Sequence, residues 1–275
     1  GTEVTGWEYS TDAGTTWAAA GADSSPFSIT SLSSDVDARL VNGENYTVIV
    51  RATSAAGTGA ASAPRILTPR AVPAQPVTSL TALDGAVSVA FSVADDGGSP
   101  VLDLQYSLNG APFVSTGTLS SPFVLTGLTN GQPATIELRA VNVSGPSAVS
   151  DARSASPRTV PGAPTGVAVV SGNALAAVSW SVPASTGGAS ITQYTASAYA
   201  TASSTTALAS CSSASTACEI TGLSNDTTYF VSVVAQNAAG TGPASAPRVS
   251  VLPLAKPSAP TLGTVTPANT FLSAA

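Results

Sequence analysis

Few residues in this sequence could do chemistry, and their types and spacing limit what that chemistry is. Histidine and methionine are absent, which removes the commonest general base, proton shuttle and metal ligand together. Cys211 and Cys218, in SCSSASTACEI, are the only cysteines. Their spacing is wrong for a CxxC redox or zinc motif and predicts a local disulfide, which implies an oxidising compartment. Closing so short a loop contributes about 2 kcal/mol. The acidic pairs Asp35/Asp37 and Asp95/Asp96 have the residue types for a hard cation or for paired-carboxylate glycosidic cleavage. Neither pair has supporting ligands: VADDGGSP reads as a solvated turn, and SSDVDARLVNGEN lacks the residue order of an EF-hand. The aromatics Trp7, Tyr9, Trp17 and Tyr106 could form a sugar-stacking row. Asn45, Asn142 and Asn225 fit the N-glycosylation pattern and read as coincidences. No catalytic residue, cofactor or metal site is expected.

Composition restricts the elements that could position these residues. Charged residues make up 9% and apolar residues 43%, with 24 glycines and 20 prolines among 275 residues. That balance suits short strands joined by many turns, divided into two or three small domains. Fifteen acids against nine bases give a net charge of -6, and Lys256 is the single lysine. No basic stripe exists to neutralise a phosphate backbone, so nucleic acid is not an expected partner. No apolar run is long enough to cross a bilayer, and the start of the chain lacks signal-peptide character. Any export signal or anchor is expected outside this window.

Internal repetition is the strongest feature. VPAQPVTSL at 72–80, VPGAPTGVAV at 160–169 and KPSAPTLGTV at 256–265 open three copies, spaced by about ninety residues. Downstream, LVNGENYTVIVRATSAAGTGAAS at 40–62, LTNGQPATIELRAVNVSGPSAVS at 128–150 and LSNDTTYFVSVVAQNAAGTGPAS at 223–245 form a second matching set. Alternation such as Tyr46, Val48, Val50 or Ile136, Leu138, Ala140 places one face inward, as in a half-buried antiparallel strand. GTEVTGWEYSTDAGTTW at the start aligns with GSPVLDLQYSLNGAPFV at 98–114, which puts Trp7 at the core position of Leu104 and Tyr194 and Trp17 near Phe113.

These segments resemble bacterial fibronectin type III repeats, whose strand F reads L-x-x-G-x-x-Y-x-V-x-V-x-A-x-N-x-x-G. Leu223, Tyr229, Val231, Val233, Ala235, Asn237 and Gly240 follow that pattern, with Asp226 at the first glycine, and Trp180 stands at the strand-B core tryptophan. The resemblance covers nearly the whole chain. It implies an all-β fold of tandem immunoglobulin-like antiparallel β-sandwiches. Residues 1–71 form a partial domain with strands C to G, 72–159 and 160–253 are complete domains, and 254–275 are a linker and the opening of a further domain. Structural core residues are Trp7, Tyr46, Phe91, Trp180 and Tyr229. The tyrosine hydroxyls of Tyr46 and Tyr229 should bond back to nearby backbone. The second repeat has Ala134 at the tyrosine position and Phe91 at the tryptophan position, and is expected to be less stable.

For function, the array reads as a non-catalytic spacer or stalk in a large bacterial cell-surface or secreted protein, with neighbouring repeats as its first partners. The alternatives are an adhesive or self-assembling filament module, contacting identical chains or a surface polysaccharide or protein, and an accessory segment of a secreted polysaccharide hydrolase. In the self-assembling variant, one chain's C-terminal segment supplies the strands missing from another's first repeat. An extracellular location is expected.

Overall fold

The computed structural model describes residues 2–257, 259, 261, 263, 265–268 and 271–274. Its elements are β1 (Val4–Ser10), β2 (Ala18–Ala19), β3 (Tyr46–Ser54), β4 (Gly57–Thr58), β5 (Arg65–Leu67), β6 (Val77–Leu83), β7 (Ala86–Ser92), β8 (Asp103–Leu108), β9 (Val114–Ser115), β10 (Phe123–Thr126), β11 (Ala134–Asn142), β12 (Gly145–Pro146), β13 (Arg153–Ala155), β14 (Thr165–Gly172), β15 (Leu175–Ser181), β16 (Gln193–Tyr199), β17 (Ala209–Ser213), β18 (Ala217–Thr221), β19 (Tyr229–Asn237), β20 (Gly240–Thr241), β21 (Val249–Val251), β22 (Val265–Ala268) and β23 (Phe271–Ala274). No helix occurs among the described residues.

The third repeat shows the complete architecture. One sheet has the order β14-β15-β18; the other has the order β17-β16-β19-β20, with β21 also on β19. Period-two alternation drives the assembly. Along β19, Tyr229, Val231, Val233, Ala235 and Asn237 are all buried, and the apolar four meet Ala176, Val178 and Trp180 of β15 in one cluster. The second repeat repeats the plan, with sheets β10-β7-β6 and β12-β11-β8-β9, β13 again on β11. Val87 and Val89 of β7 cover Ile136 and Leu138 of β11, all 1% exposed or less.

The first repeat holds only one of these sheets, β2-β1-β3-β4 with β5 on β3. Where strand E was expected in this repeat there is a single bridge between Ser31 and Arg39. The physical reason is pairing: in the other repeats that strand, β10 or β18, hydrogen-bonds to β7 or β15, and the first repeat has no counterpart of either among the described residues. The inward face of β3 is correspondingly less buried than alternation predicts. Val48 and Val50 are half-buried, whereas Ile49 on the opposite face is buried.

By compactness the chain divides into two units. One contains 1–82, 86–128 and 133–156; the other contains 83–85, 129–132 and 157–275. The second unit therefore includes two turns of the second repeat together with the whole third repeat.

Candidate functional site at the inter-repeat joints

Three residue sets singled out in the sequence are not brought together into reactive chemistry. Asp95 Oδ1 accepts the Gly97 amide and Asp96 Oδ1 the Gly98 amide, each at 2.9 Å. Asp35 Oδ1 accepts the Asp37 amide at 3.0 Å. These carboxylates hold their own turns. No group of three His, Cys, Asp or Glu side chains suited to a metal occurs among the described residues. The aromatics form no row. Tyr9 is buried with its hydroxyl 2.9 Å from Ser31 Oγ, Trp7 stacks at 6.1 Å on Phe27, and Tyr106 lies 6.4 Å from Phe123 inside the second repeat. Trp17 lies under the Arg51 guanidinium at 3.8 Å, and Arg51 in turn pairs with Glu8 at 2.7 Å.

Cys211 and Cys218 are bonded, with Cα atoms 6.1 Å apart. Their strands β17 and β18 are not hydrogen-bonded to each other; each belongs to a different sheet. The bond therefore staples the two layers of the third sandwich rather than closing a hairpin. Trp180 is 5% exposed and packs at 5.5 Å on Tyr194, and Phe91 packs edge-on against Phe123 at 6.1 Å. The hydroxyl of Tyr46 accepts the Val41 amide at 2.9 Å, and that of Tyr229 accepts the Ser224 amide at 3.1 Å. Ala134 has no hydroxyl to do the same.

A polar turn that sequence reading did not single out lies between β1 and β2. Asp12 accepts hydrogen bonds from the Thr16 hydroxyl (2.6 Å), the Thr16 amide (2.9 Å) and the Ser10 hydroxyl (2.7 Å). Led by the Thr16 hydroxyl, these donors lower the Asp12 pKa from 3.8 to about 2. The Trp17 indole donates to Gly14 O at 3.1 Å, and the turn lies against Ile49, which accounts for the burial of that outward residue.

The most specific constellation stands where one repeat meets the next, and it occurs twice. In the first unit, Asn142 at the end of β11 is 4% exposed. Its Nδ2 donates to Ala71 O in the linker at 2.8 Å and to Asp96 O in the β7–β8 loop at 2.7 Å. The Ala71 amide donates to Gly97 O at 2.8 Å. In the second unit Asn237 ends β19 and is equally buried. Its Nδ2 donates at 2.8 Å to Thr159 O and to Thr186 O, and the Thr159 amide donates to Gly187 O at 2.8 Å. Each Asn thus ties its own repeat's loop to the incoming linker, using both amide hydrogens.

A glycine pair completes each joint. Gly97 and Gly98 have φ of 75° and 76°, and Gly187 and Gly188 have 73° and 84°. A Cβ on Gly97 would stand 2.7 Å from Val72 O, and one on Gly187 2.6 Å from Val160 O. A Cβ on Gly98 would collide with the backbone of Asn42 and Gly43, and one on Gly188 with that of Asn130 and Gly131. Only glycine gives both the left-handed conformation and this backbone-to-backbone approach. The Asn-Gly turns that receive them are fixed by Gly43 N donating to Pro69 O and Gly131 N to Pro157 O, each at 2.9 Å. Asn142 and Asn237 were missed as joint residues because the carbonyls they bind lie about fifty and seventy-five residues away along the chain. The signal that could have found them is the recurrence of Gly-Gly together with a strand-F Asn in the same two repeats.

Two antiparallel sheets packed face to face, with crossed connections, place the complete repeats in the immunoglobulin-like sandwich class. Residues 162–251 match the family model of the fibronectin type III domain. The same motif recurs in the other two repeats, and the same two-sheet order in the second. Among solved structures it is similar to domains A168–A170 of titin, at 19% identity, TM-score 0.46, over 82% of this chain and 78% of that one. It is also similar to the FN1–FN3 domains of chicken CNTN1, at 16% identity, TM-score 0.39, over 92% and 90%. Titin kinase with its flanking domains matches at 28% identity and TM-score 0.32 over 34% of this chain and 17% of that one. No curated protein matches by sequence.

Proposed function

We propose that the chain is a non-catalytic spacer, a stalk segment of a large bacterial cell-surface or secreted protein. The observation that supports it most is the twice-built joint: Asn142 and Asn237 each tie the incoming linker's carbonyl to a loop carbonyl of their own repeat. A pendant module on a flexible tether needs no such closure, whereas a spacer needs each repeat to be held against bending relative to the last. The Cys211–Cys218 bond supports the extracellular part of the reading.

Residual dipolar couplings measured on the intact chain test it. The two repeats on either side of a joint should share one alignment tensor, and Gly188→Ala should split the tensors across its joint while each repeat keeps its own fold. Uncorrelated tensors in the unmodified chain would sink the spacer reading.

A further inference from the structure

Both linkers that enter a complete repeat carry an arginine at the same place. Pro69-Arg70-Ala71-Val72-Pro73 leads into the second repeat and Pro157-Arg158-Thr159-Val160-Pro161 into the third. Both arginine side chains are exposed, and neither guanidinium makes a hydrogen bond or an ion pair among the described residues. Arg51, Arg139 and Arg248 contrast with them, each lying over an aromatic ring, Trp17, Phe113 or Tyr199. The linker arginines therefore present a free cation at a fixed point of each joint.

The backbone beside each arginine is held. Arg158 N donates to Leu83 O at 2.9 Å, Thr159 N to Gly187 O at 2.8 Å and Gly162 N to Ser185 O at 2.9 Å, while Thr159 O accepts Asn237 Nδ2 at 2.8 Å. In the other joint Ala71 N donates to Gly97 O and Ala74 N to Asp95 O, each at 2.8 Å, and Ala71 O accepts Asn142 Nδ2 at 2.8 Å. The glycine loop lies directly on this bond: a Cβ on Gly97 would stand 2.3 Å from Ala71 O, and one on Gly187 2.1 Å from Thr159 O. An enzyme that hydrolyses a peptide bond takes its substrate as an extended strand, paired through these same main-chain groups. A closed joint shows such an enzyme the arginine and withholds the bond that follows it.

We propose that Arg70–Ala71 and Arg158–Thr159 are latent cleavage sites for an arginine-specific serine protease, one whose specificity pocket offers a carboxylate to the guanidinium, and that each joint is the latch on its own site. When a joint opens, its linker is free to extend into the enzyme. The C–N bond after the arginine then breaks and water is taken up, leaving a carboxylate on Arg70 or Arg158 and an amine on Ala71 or Thr159. After the third repeat the backbone is pinned in the same manner, Leu254 N donating to Gly172 O at 3.2 Å, but Leu254 stands where the arginine would be. The proposal goes beyond the spacer reading and rests on the joints alone.

Trypsin is the probe, with the first cuts in the intact chain located by mass spectrometry of the fragments. Synthetic peptides 66–75 and 154–163 should be cut readily after Arg70 and Arg158, and the intact chain roughly a hundredfold more slowly at the same bonds, because cutting follows the population of the open joint. Asn237→Ala should raise cutting after Arg158 about thirtyfold and leave that after Arg70 unchanged. Asn142→Ala should do the reverse. In Asn237→Ala, cutting after Arg248 inside the third repeat should stay far slower than after Arg158, which separates an opened joint from an unfolded repeat. Peptides that resist trypsin overturn the proposal, as does an intact chain cut at the peptides' rate. So does a variant whose own joint is cut no faster, or one in which Arg248 is cut as fast as Arg158.

Discussion

At the scale of single residues, the polar groups that matter spend their hydrogen bonds on backbone. The Tyr229 hydroxyl bonds the Ser224 amide across the corner leading into β19, so Tyr229→Phe should lower the stability of the third repeat by about 1 kcal/mol. Chemical denaturation followed by the fluorescence of Trp180 reads this directly. Trp180→Ala should cost about 3–5 kcal/mol, because the indole fills the space between the sheets against Tyr194. The turn at Asp12 makes a pH-dependent contribution. Its folded pKa is lowered from 3.8 to about 2, so the stabilisation is complete above the ordinary carboxylate value and is lost as pH falls through the folded one. Acid titration of the intact chain against Asp12→Asn should show an added loss between about pH 4 and 2 that the variant lacks. Tyr46, Tyr229 and Trp180 were legible in the sequence because each belongs to a motif with fixed offsets from the strand period. Asp12 was not, since its partners Ser10 and Thr16 become significant only once the turn closes around them.

At the scale of elements, the strands were legible where both faces of a sandwich exist. Alternation placed Ile136, Leu138 and Ala140 inward, and all three are buried. The same alternation put Val48 and Val50 inward in β3, where they are half-buried, no second sheet lying over them among the described residues. Periodicity records which face is apolar, not whether anything covers it. The joints were hidden by distance along the chain. VADDGGSP reads as a solvated loop by composition, and only the three-dimensional approach of Gly98 to Asn42 and Gly43 shows why both glycines are needed. Asn237→Ala leaves two carbonyls, Thr159 O and Thr186 O, without their donor, and should cost the third repeat about 2 kcal/mol. Urea titration compared with Asn42→Ala, at an exposed position outside the joint's hydrogen bonds, separates this effect from general amide loss.

At the scale of the whole molecule, stability should differ from repeat to repeat. The second repeat has Ala134 in place of a corner tyrosine and Phe91 in place of the tryptophan, and its sheets carry no disulfide. Hydrogen exchange should show the amides of β7, β8 and β11 opening before those of β15, β16 and β19, an order that slower exchange in the second repeat would refute. Repeat number was legible from spacing alone, because a motif that recurs about every ninety residues marks one small sandwich per period. Compactness cuts the chain elsewhere, assigning the turns 83–85 and 129–132 to the unit that holds the third repeat, because a joint draws the end of one module into its neighbour.

The bond between β17 and β18 has a mechanical consequence for a chain that carries load. Tension applied through the termini cannot draw out the residues between Cys211 and Cys218, whose Cα atoms stay 6.1 Å apart. Fully stretched, that segment would add roughly 20 Å of length. Pulling on single molecules before and after reduction should lengthen the release step of the third repeat by that amount and leave that of the second unchanged. The redox state of the surroundings would thus set how far the third repeat extends before it goes taut.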